Sequence, residues 1–168
     1  WEIFVRIFQA KGFSTVSLGG ERDHALLFSL GANMIASEFE QYVSELVRQL
    51  DFAKEGTVLR NQQFKGIRQP GEYEIDIAVK ARLSNTVEFL LIVECKNWAR
   101  PVDRPVIQKL AQTRDAIAAH KGAVASPVGF TSEAVSVAEA NGIALWVISA
   151  ESWQIIMGAC GPPGEVFA

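Results

Sequence analysis

An unbroken apolar run that ends in two charges is the feature of this sequence that most limits its fold. The run from Phe89 to Val93 is apolar at every position, and Glu94-Cys95-Lys96 follows it directly. Because side chains alternate across a strand, such a run predicts a strand covered on both faces, at the centre of a sheet. Glu94 and Lys96 then share one face of the strand, and Cys95 points to the other.

The spacing of the other apolar residues predicts a mixed sheet flanked by helices. Three- and four-residue steps predict an amphipathic helix from Met34 to Leu50, and alternation predicts a strand from Tyr73 to Ala81. Turn residues at Ser84-Asn85-Thr86 join that strand to Val87–Cys95 as a β-hairpin, and the polar segment Asn61–Gly71 is read as a lead-in. The remaining elements are a helix, a strand, a helix and a strand, at Asp103–Lys121, Gly122–Val128, Thr131–Asn141 and Ile143–Ile148. The order α-β-β-α-β-α-β indicates the α/β class, with a mixed central sheet.

Composition fits one globular domain. A chain of 168 residues that is 49% hydrophobic can bury a substantial core, and 21% charged residues argue against extensive disorder. No apolar run approaches the eighteen or so residues that span a bilayer, so we expect a soluble, cytoplasmic protein without a membrane partner. Cys95 and Cys160 lack metal-ligand spacing and are expected to be reduced thiols. A first residue of Trp1 rather than Met suggests a fragment.

Positive charge is concentrated in one part of the chain. The net charge is −3, but from Arg60 to Lys121 eleven Lys and Arg residues stand against seven Asp and Glu residues, which leaves +4. Any nucleic-acid surface is expected in this segment. The candidates for contacts with phosphates or bases are Arg100, Arg104, Lys109 and Trp98. The alternatives are a solvated helix face for the basic residues and bracing of the loop for Trp98.

The predicted hairpin brings a third charge to the end of the apolar strand. If it turns about Asn85, the numbers of paired residues add up to 170, which places Asp76 opposite Glu94. Opposed carboxylates destabilise a sheet unless one is protonated or a cation lies between them. A divalent metal such as Mg²⁺, which prefers oxygen ligands, resolves the conflict, and Lys96 then stands beside it. The alternative is a solvated charge pair or a structural charge network.

These residues carry a family resemblance. Asp76 on one strand and Glu94-Cys95-Lys96 on the next resemble the signature of the PD-(D/E)xK nuclease superfamily. The segment Ile92–Val102, I-V-E-C-K-N-W-A-R-P-V, with Gly129-Phe130-Thr131 and the following helix, is similar to the catalytic domain of Mrr-like restriction endonucleases. Two positions depart from the pattern, because Ile75 replaces the Pro of the superfamily name and Glu94 stands where many Mrr-like proteins carry Gln.

The resemblance implies a restriction-endonuclease-like core, a DNA substrate and phosphodiester hydrolysis with Mg²⁺ or Mn²⁺. Asp76 and Glu94 would hold the metal, and Lys96 would orient or deprotonate the attacking water. Phe39-Glu40 matches the Phe-Glu pair of the family's first helix, so Glu40 would be the third metal-site carboxylate. On a helical wheel Glu40 borders the apolar arc, although Ser37-x-x-Glu40 also fits a purely structural capping box.

The domain organisation and assembly follow from the same reading. We expect an N-terminal extension of unclear role at 1–33, the nuclease domain at 34–150 and a C-terminal tail at 151–168. Cutting both strands with one metal site per chain is simplest for a homodimer. The alternative function is a DNA-binding or assembly module that keeps the fold without cleavage.

Overall fold

The computed structural model describes residues 34–54, 56–82, 87–149 and 153–157. The chain forms four helices and six strands within these ranges. The helices are α1 (Ala36–Arg48), α2 (Asp51–Lys54), α3 (Arg104–Ala116) and α4 (Ser132–Asn141). The strands are β1 (Thr57–Lys65), β2 (Glu72–Arg82), β3 (Glu88–Cys95), β4 (Lys121–Ser126), β5 (Ile143–Ile148) and β6 (Trp153–Met157). The predicted extension at 1–33, the turn at Ser84–Thr86 and Cys160 lie outside the described residues.

All six strands form one mixed sheet whose spatial order is the order of the sequence. The pairs β1–β2, β2–β3 and β5–β6 are antiparallel, whereas β3–β4 and β4–β5 are parallel. Parallel neighbours need a crossover, which α3 and α4 supply. Strand β3, which contains the apolar run Phe89–Val93, lies inside the sheet between β2 and β4, as predicted. The mixed α/β fold is confirmed.

The sheet is covered on both faces. On one face α1 and α2 pack against a cluster that includes Val43, Val47 and Val93, all fully buried. On the other face α3 and α4 pack against a cluster that includes Ile92, Ile107 and Leu145. Full burial of such a side chain stabilises the fold by roughly 1.5–3 kcal/mol, so neighbouring residues of β3 hold helices on opposite faces.

Three elements were not predicted from the sequence. Strand β1 includes part of the segment interpreted as a polar lead-in, because Asn61, Gln62 and Gln63 are exposed on an edge strand and do not alternate with apolar residues. The short helix α2 and the edge strand β6 are the other two. The predicted helix to Lys121 ends earlier, at Ala116. Among the described residues, no helix is long and apolar enough to cross a membrane.

Thr131 and Gly142 cap the two ends of α4. The Thr131 hydroxyl accepts a hydrogen bond from the Ala134 N–H at 3.2 Å, which satisfies one free donor of the first turn. Gly142 ends the helix with φ 60° and ψ 39°, a left-handed conformation that favours glycine. These caps fix the length of the crossover between β4 and β5.

Candidate functional site

The hairpin of β2 and β3 brings Asp76 next to Glu94. The observed pairs run from Arg82 opposite Glu88 to Ile77 opposite Val93, the predicted register. One residue beyond the last pair, the Asp76 carboxylate accepts a hydrogen bond from the Cys95 N–H at 2.7 Å. The Asp76 side chain therefore accepts a hydrogen bond from a backbone N–H beyond the last paired residues. This bond holds the Asp76 carboxylate at the end of β3.

The pairing of β2 with its other neighbour, β1, is irregular at Asp76. Strand β1 pairs on either side of this position, but Asn61, which lies opposite Asp76, is missing from the ladder. Asn61 has a φ of 49°, in the left-handed region. Ile75 and Ile77 should share a face, yet they pack in the two opposite clusters. The twist of the hairpin therefore changes at the aspartate.

Asp76 is the most perturbed carboxylate of this site. Burial, the negative charge of Glu94 and, more weakly, that of Glu40 raise its pKa, which is about 6 instead of 3.8. The hydrogen bond from Cys95 and the charge of Lys96 lower this pKa but do not compensate. The protein thus leaves negative charge at Asp76 only partly neutralised.

Glu94 and Lys96 form an ion pair. The Lys96 Nζ atom lies 2.5 Å from the Glu94 Oε1 atom, and the two side chains are 23% and 17% exposed. Burial lowers the pKa of Lys96, but the hydrogen bond and charge of Glu94 outweigh this effect, so the net pKa is raised. Lys96 is therefore an ammonium ion at neutral pH.

Glu40 reaches the same region from α1, on the other face of the sheet. Its Oε2 atom lies 3.8 Å from the Arg60 Nη2 atom, and Arg60 also donates to the Ser37 carbonyl at 3.1 Å. The capping role considered for Glu40 is taken by Glu38, whose carboxylate accepts from the Ile35 N–H at 3.0 Å. Glu40 is thus free of the helix cap, and Arg60 is its ion-pair partner.

A cavity of about 150 Å³ opens between the hairpin and α3. Its wall is mostly polar and consists of Glu74, Asp76, Glu94, Lys109, Leu110 and Thr113. Lys109 was predicted to contact DNA phosphates, and the structure places it in the same wall as two of the predicted metal-site carboxylates. Glu74 and Thr113 were missed by the sequence reading. Sequence spacing could have indicated both residues. Glu74 precedes Asp76 by two residues on a strand, and Thr113 follows Lys109 by one helical turn, so each pair lies on one face of its element.

The other predicted DNA-binding residues lie on or after the loop that follows β3. The Arg100 guanidinium lies 4.5 Å from the centre of the Trp98 ring, and Lys96 Nζ lies 6.0 Å from the same ring. Trp98 also packs against the buried cluster under α3, which fits bracing of the loop. Arg104 begins α3 with an exposed side chain, five residues before Lys109.

The residues present suit a hydrated divalent cation better than a fully dehydrated one. In the part of the chain that the structure describes, no three His, Cys, Asp or Glu side chains are close enough to hold a metal ion together. The free cysteine Cys95 is buried in the cluster on the α1 face of the sheet, and burial raises the pKa of its thiol. Asp76 and Glu94 offer hard oxygen donors, and the two carboxylates together carry more charge than the Lys96 ammonium beside them offsets. Mg²⁺ accepts such a site because it usually keeps several of its waters.

Comparison with known proteins gives a family match and several matches of fold. Residues 32–150 match the family Mrr_cat, whose description is restriction endonuclease. Among solved structures, protein VC1899 from Vibrio cholerae has a TM-score of 0.52 at 19% identity, and the match covers 86% of this chain and 45% of that one. The MspJI restriction endonuclease, in complex with a 27-mer oligonucleotide, has a TM-score of 0.50 at 13% identity, with 76% and 29% covered.

These structural matches concern the fold, since their identities are low. The chain spans less than half of the length of either protein, so it corresponds to one part of each. A search of curated proteins finds no match.

Proposed function

Because this chain belongs to the Mrr_cat restriction endonuclease family, we propose that it is a metal-dependent endonuclease that hydrolyses phosphodiester bonds of DNA. The proposal includes Mg²⁺ or Mn²⁺ as the cofactor and the set Asp76, Glu94 and Lys96 as the catalytic residues. Glu40 supports this set from α1.

The observation that carries the proposal is the state of Asp76. A carboxylate with a pKa of about 6 next to a second carboxylate costs free energy that the fold does not recover within the protein. A solvated surface pair would not show this, because water would stabilise both charges. A bound cation would remove the cost, and both carboxylates line the cavity in which it would lie.

In the proposed mechanism Asp76 and Glu94 hold the cation. When bound, the ion supplies Lewis-acid chemistry, since it polarises a phosphoryl oxygen and lowers the pKa of water. The Cys95 N–H holds the Asp76 carboxylate in position. Glu40 keeps the local potential negative, directly or through water, and so favours a cation over an anion near Asp76.

Lys96 acts in the proposal as a charged group. Its raised pKa keeps the ammonium protonated, which favours orientation of the attacking water and stabilisation of charge in the transition state over proton abstraction. The ion pair with Glu94 fixes where the ammonium stands. A fixed donor adds more to catalysis than a mobile one, because no reorganisation is needed when charge develops.

DNA would approach along the loop after β3 and the start of α3. Arg100 and Arg104 are exposed there, and Lys109 lines the cavity. Guanidinium and ammonium groups bind phosphates without regard to sequence, so these residues would position the duplex rather than read it. Trp98, with Arg100 against its ring, would shape the loop that carries them.

A cleavage assay tests the proposal. We expect the wild type to cut modified or unmodified plasmid DNA with Mg²⁺ or Mn²⁺, and Asp76→Ala to lose at least about a hundredfold in rate. The matched control is Glu88→Gln, since Glu88 is an exposed carboxylate at the other end of β3. It should cut at the wild-type rate.

Two results would count against the enzyme. If the wild type binds DNA but cuts no substrate with either metal, the chain is a binding or assembly module that keeps the fold. If Asp76→Ala cuts as fast as an active wild type, the catalytic site lies elsewhere.

A further inference from the structure

Two polar residues of the cavity have no role in the proposal above. Glu74 of β2 and Thr113 of α3 line the same wall as Asp76 and Glu94. They come from elements that are far apart in the sequence, and they meet only because the hairpin lies against α3. A polar wall of this kind favours a polar or charged occupant of the cavity.

The Thr113 hydroxyl is the clearest sign of a ligand. Thr113 is only 8% exposed, and its side chain makes no hydrogen bond with any residue in the described ranges. The hydroxyl oxygen is not one of the fully enclosed side-chain atoms that lack a partner, so it is open to the cavity. Because the hydroxyl lies in the wall of the cavity, its partner must come from the contents of the cavity.

The charge of the wall selects a cation. Glu74, Asp76 and Glu94 contribute three carboxylates, against the single ammonium of Lys109. Lys96 neutralises Glu94, which still leaves negative charge in excess. Carboxylate and hydroxyl oxygens are hard donors, which suit Mg²⁺, Mn²⁺ or Ca²⁺.

The size of the cavity indicates that the cation keeps its water. A volume of about 150 Å³ is more than a bare ion fills and leaves room for several waters. No three acidic side chains of the described residues are close enough to bind one ion directly. Some of the wall must therefore contact the ion through its waters.

We infer that Glu74 and Thr113 bind the water shell of the divalent cation held by Asp76 and Glu94, so that the site extends to α3. This inference rests on the proposed function, because it assumes the same metal. Glu40 differs from Glu74, since it is absent from the cavity wall and has Arg60 as its partner.

Calorimetric titration with Mn²⁺, without DNA, tests this inference independently of activity. Residues that orient a metal through its waters typically change affinity by about 10- to 100-fold when removed. We expect Glu74→Gln to bind Mn²⁺ about tenfold more weakly, and Thr113→Val several-fold more weakly. Glu72→Gln is the matched control, since Glu72 is an exposed carboxylate two residues away on β2 and outside the cavity wall. It should change affinity by less than about twofold.

The outcomes separate this inference from the proposed function. If Glu74→Gln binds like the wild type while Asp76→Asn does not bind, the metal site stands and the inference is wrong. The same holds if Glu40→Gln, rather than Glu74→Gln, weakens binding. If Asp76→Asn binds as tightly as the wild type, the metal site itself is wrong. The melting temperature of each variant without metal shows whether it folds. If Thr113→Val does not fold, Glu74→Gln still tests the inference, because Glu74 is exposed and its replacement should not disturb the core.

Discussion

At the scale of single residues, Asp76 makes the metal-free protein sensitive to pH. Burial first, and then Glu94 and Glu40, raise its pKa to about 6 from 3.8. The folded protein binds this proton more tightly than the unfolded chain does, so the stability that protonation contributes is present below about pH 4 and is lost as the pH rises through about 6.

Asp76→Asn should remove this pH dependence. The amide oxygen can still accept from the Cys95 N–H, but it carries no charge. We expect the variant to exceed the wild type in free energy of unfolding by up to about 3 kcal/mol at pH 7.5, and to match it more closely at pH 4. Urea unfolding at both pH values, without metal, measures the difference. A wild type that is as stable as the variant at pH 7.5 would mean that the Asp76 charge is already compensated.

Lys96 should separate chemistry from binding. Lys96→Ala removes one compact charge, so the logarithmic salt dependence of DNA binding should change by about one unit or less. Cleavage should fall about a hundredfold or more, because the ammonium stabilises charge that develops only in the transition state. Lys80→Ala is the control, since Lys80 is exposed near the other end of β2. Digestion by Lys96→Ala at the wild-type rate would reduce Glu94 and Lys96 to a structural pair.

At the scale of elements, the irregular pairing of β1 with β2 is what places Asp76. Asn61 lies opposite the aspartate with a φ of 49°, a conformation that Asn tolerates and β-branched residues do not. The strand can therefore change its twist at this point without a glycine. The sequence gives little sign of it, because Asn61 lies in a polar segment without alternation.

Asn61→Val should cost about 1–2 kcal/mol in free energy of unfolding, whereas Asn61→Gly should be tolerated. Gln62→Val, at the next and equally exposed position, is the control and should change stability little. Chemical denaturation measures all three variants. Equal stability of Asn61→Val and the wild type would show that the left-handed backbone at this position is not required for the fold.

At the scale of the whole molecule, the described part of one chain carries one candidate site. The site lies between β2 and β3, while β1 and β6 form the two edges of the sheet. Cutting a duplex on both strands is simplest with two copies related by a two-fold axis that matches the DNA. The homodimer remains a prediction.

Light scattering of the protein bound to a short duplex should give the mass of two chains. Plasmid digestion should yield linear DNA without a large build-up of nicked circles, because paired sites cut both strands in one encounter. A strictly monomeric complex that only nicks would contradict the dimer.

The sequence by itself determined the centre of the sheet and the core of the candidate site. The apolar run Phe89–Val93 specified a buried strand, and the register of the hairpin placed Asp76 beside Glu94. The caps at Thr131 and Gly142 were readable as well. These features depend on neighbours within a few residues or on a single hairpin, where side-chain alternation and turn chemistry act locally.

Only the tertiary structure decided what surrounds those residues. The edge strands β1 and β6 form because a neighbouring strand supplies their hydrogen bonds, which a local pattern does not encode. The pairing of Glu40 with Arg60, and the cavity that joins Glu74 to Thr113, unite side chains from separate elements. Their placement depends on how the hairpin twists and how α3 packs against it, since burial and nearby charge are set by the whole fold.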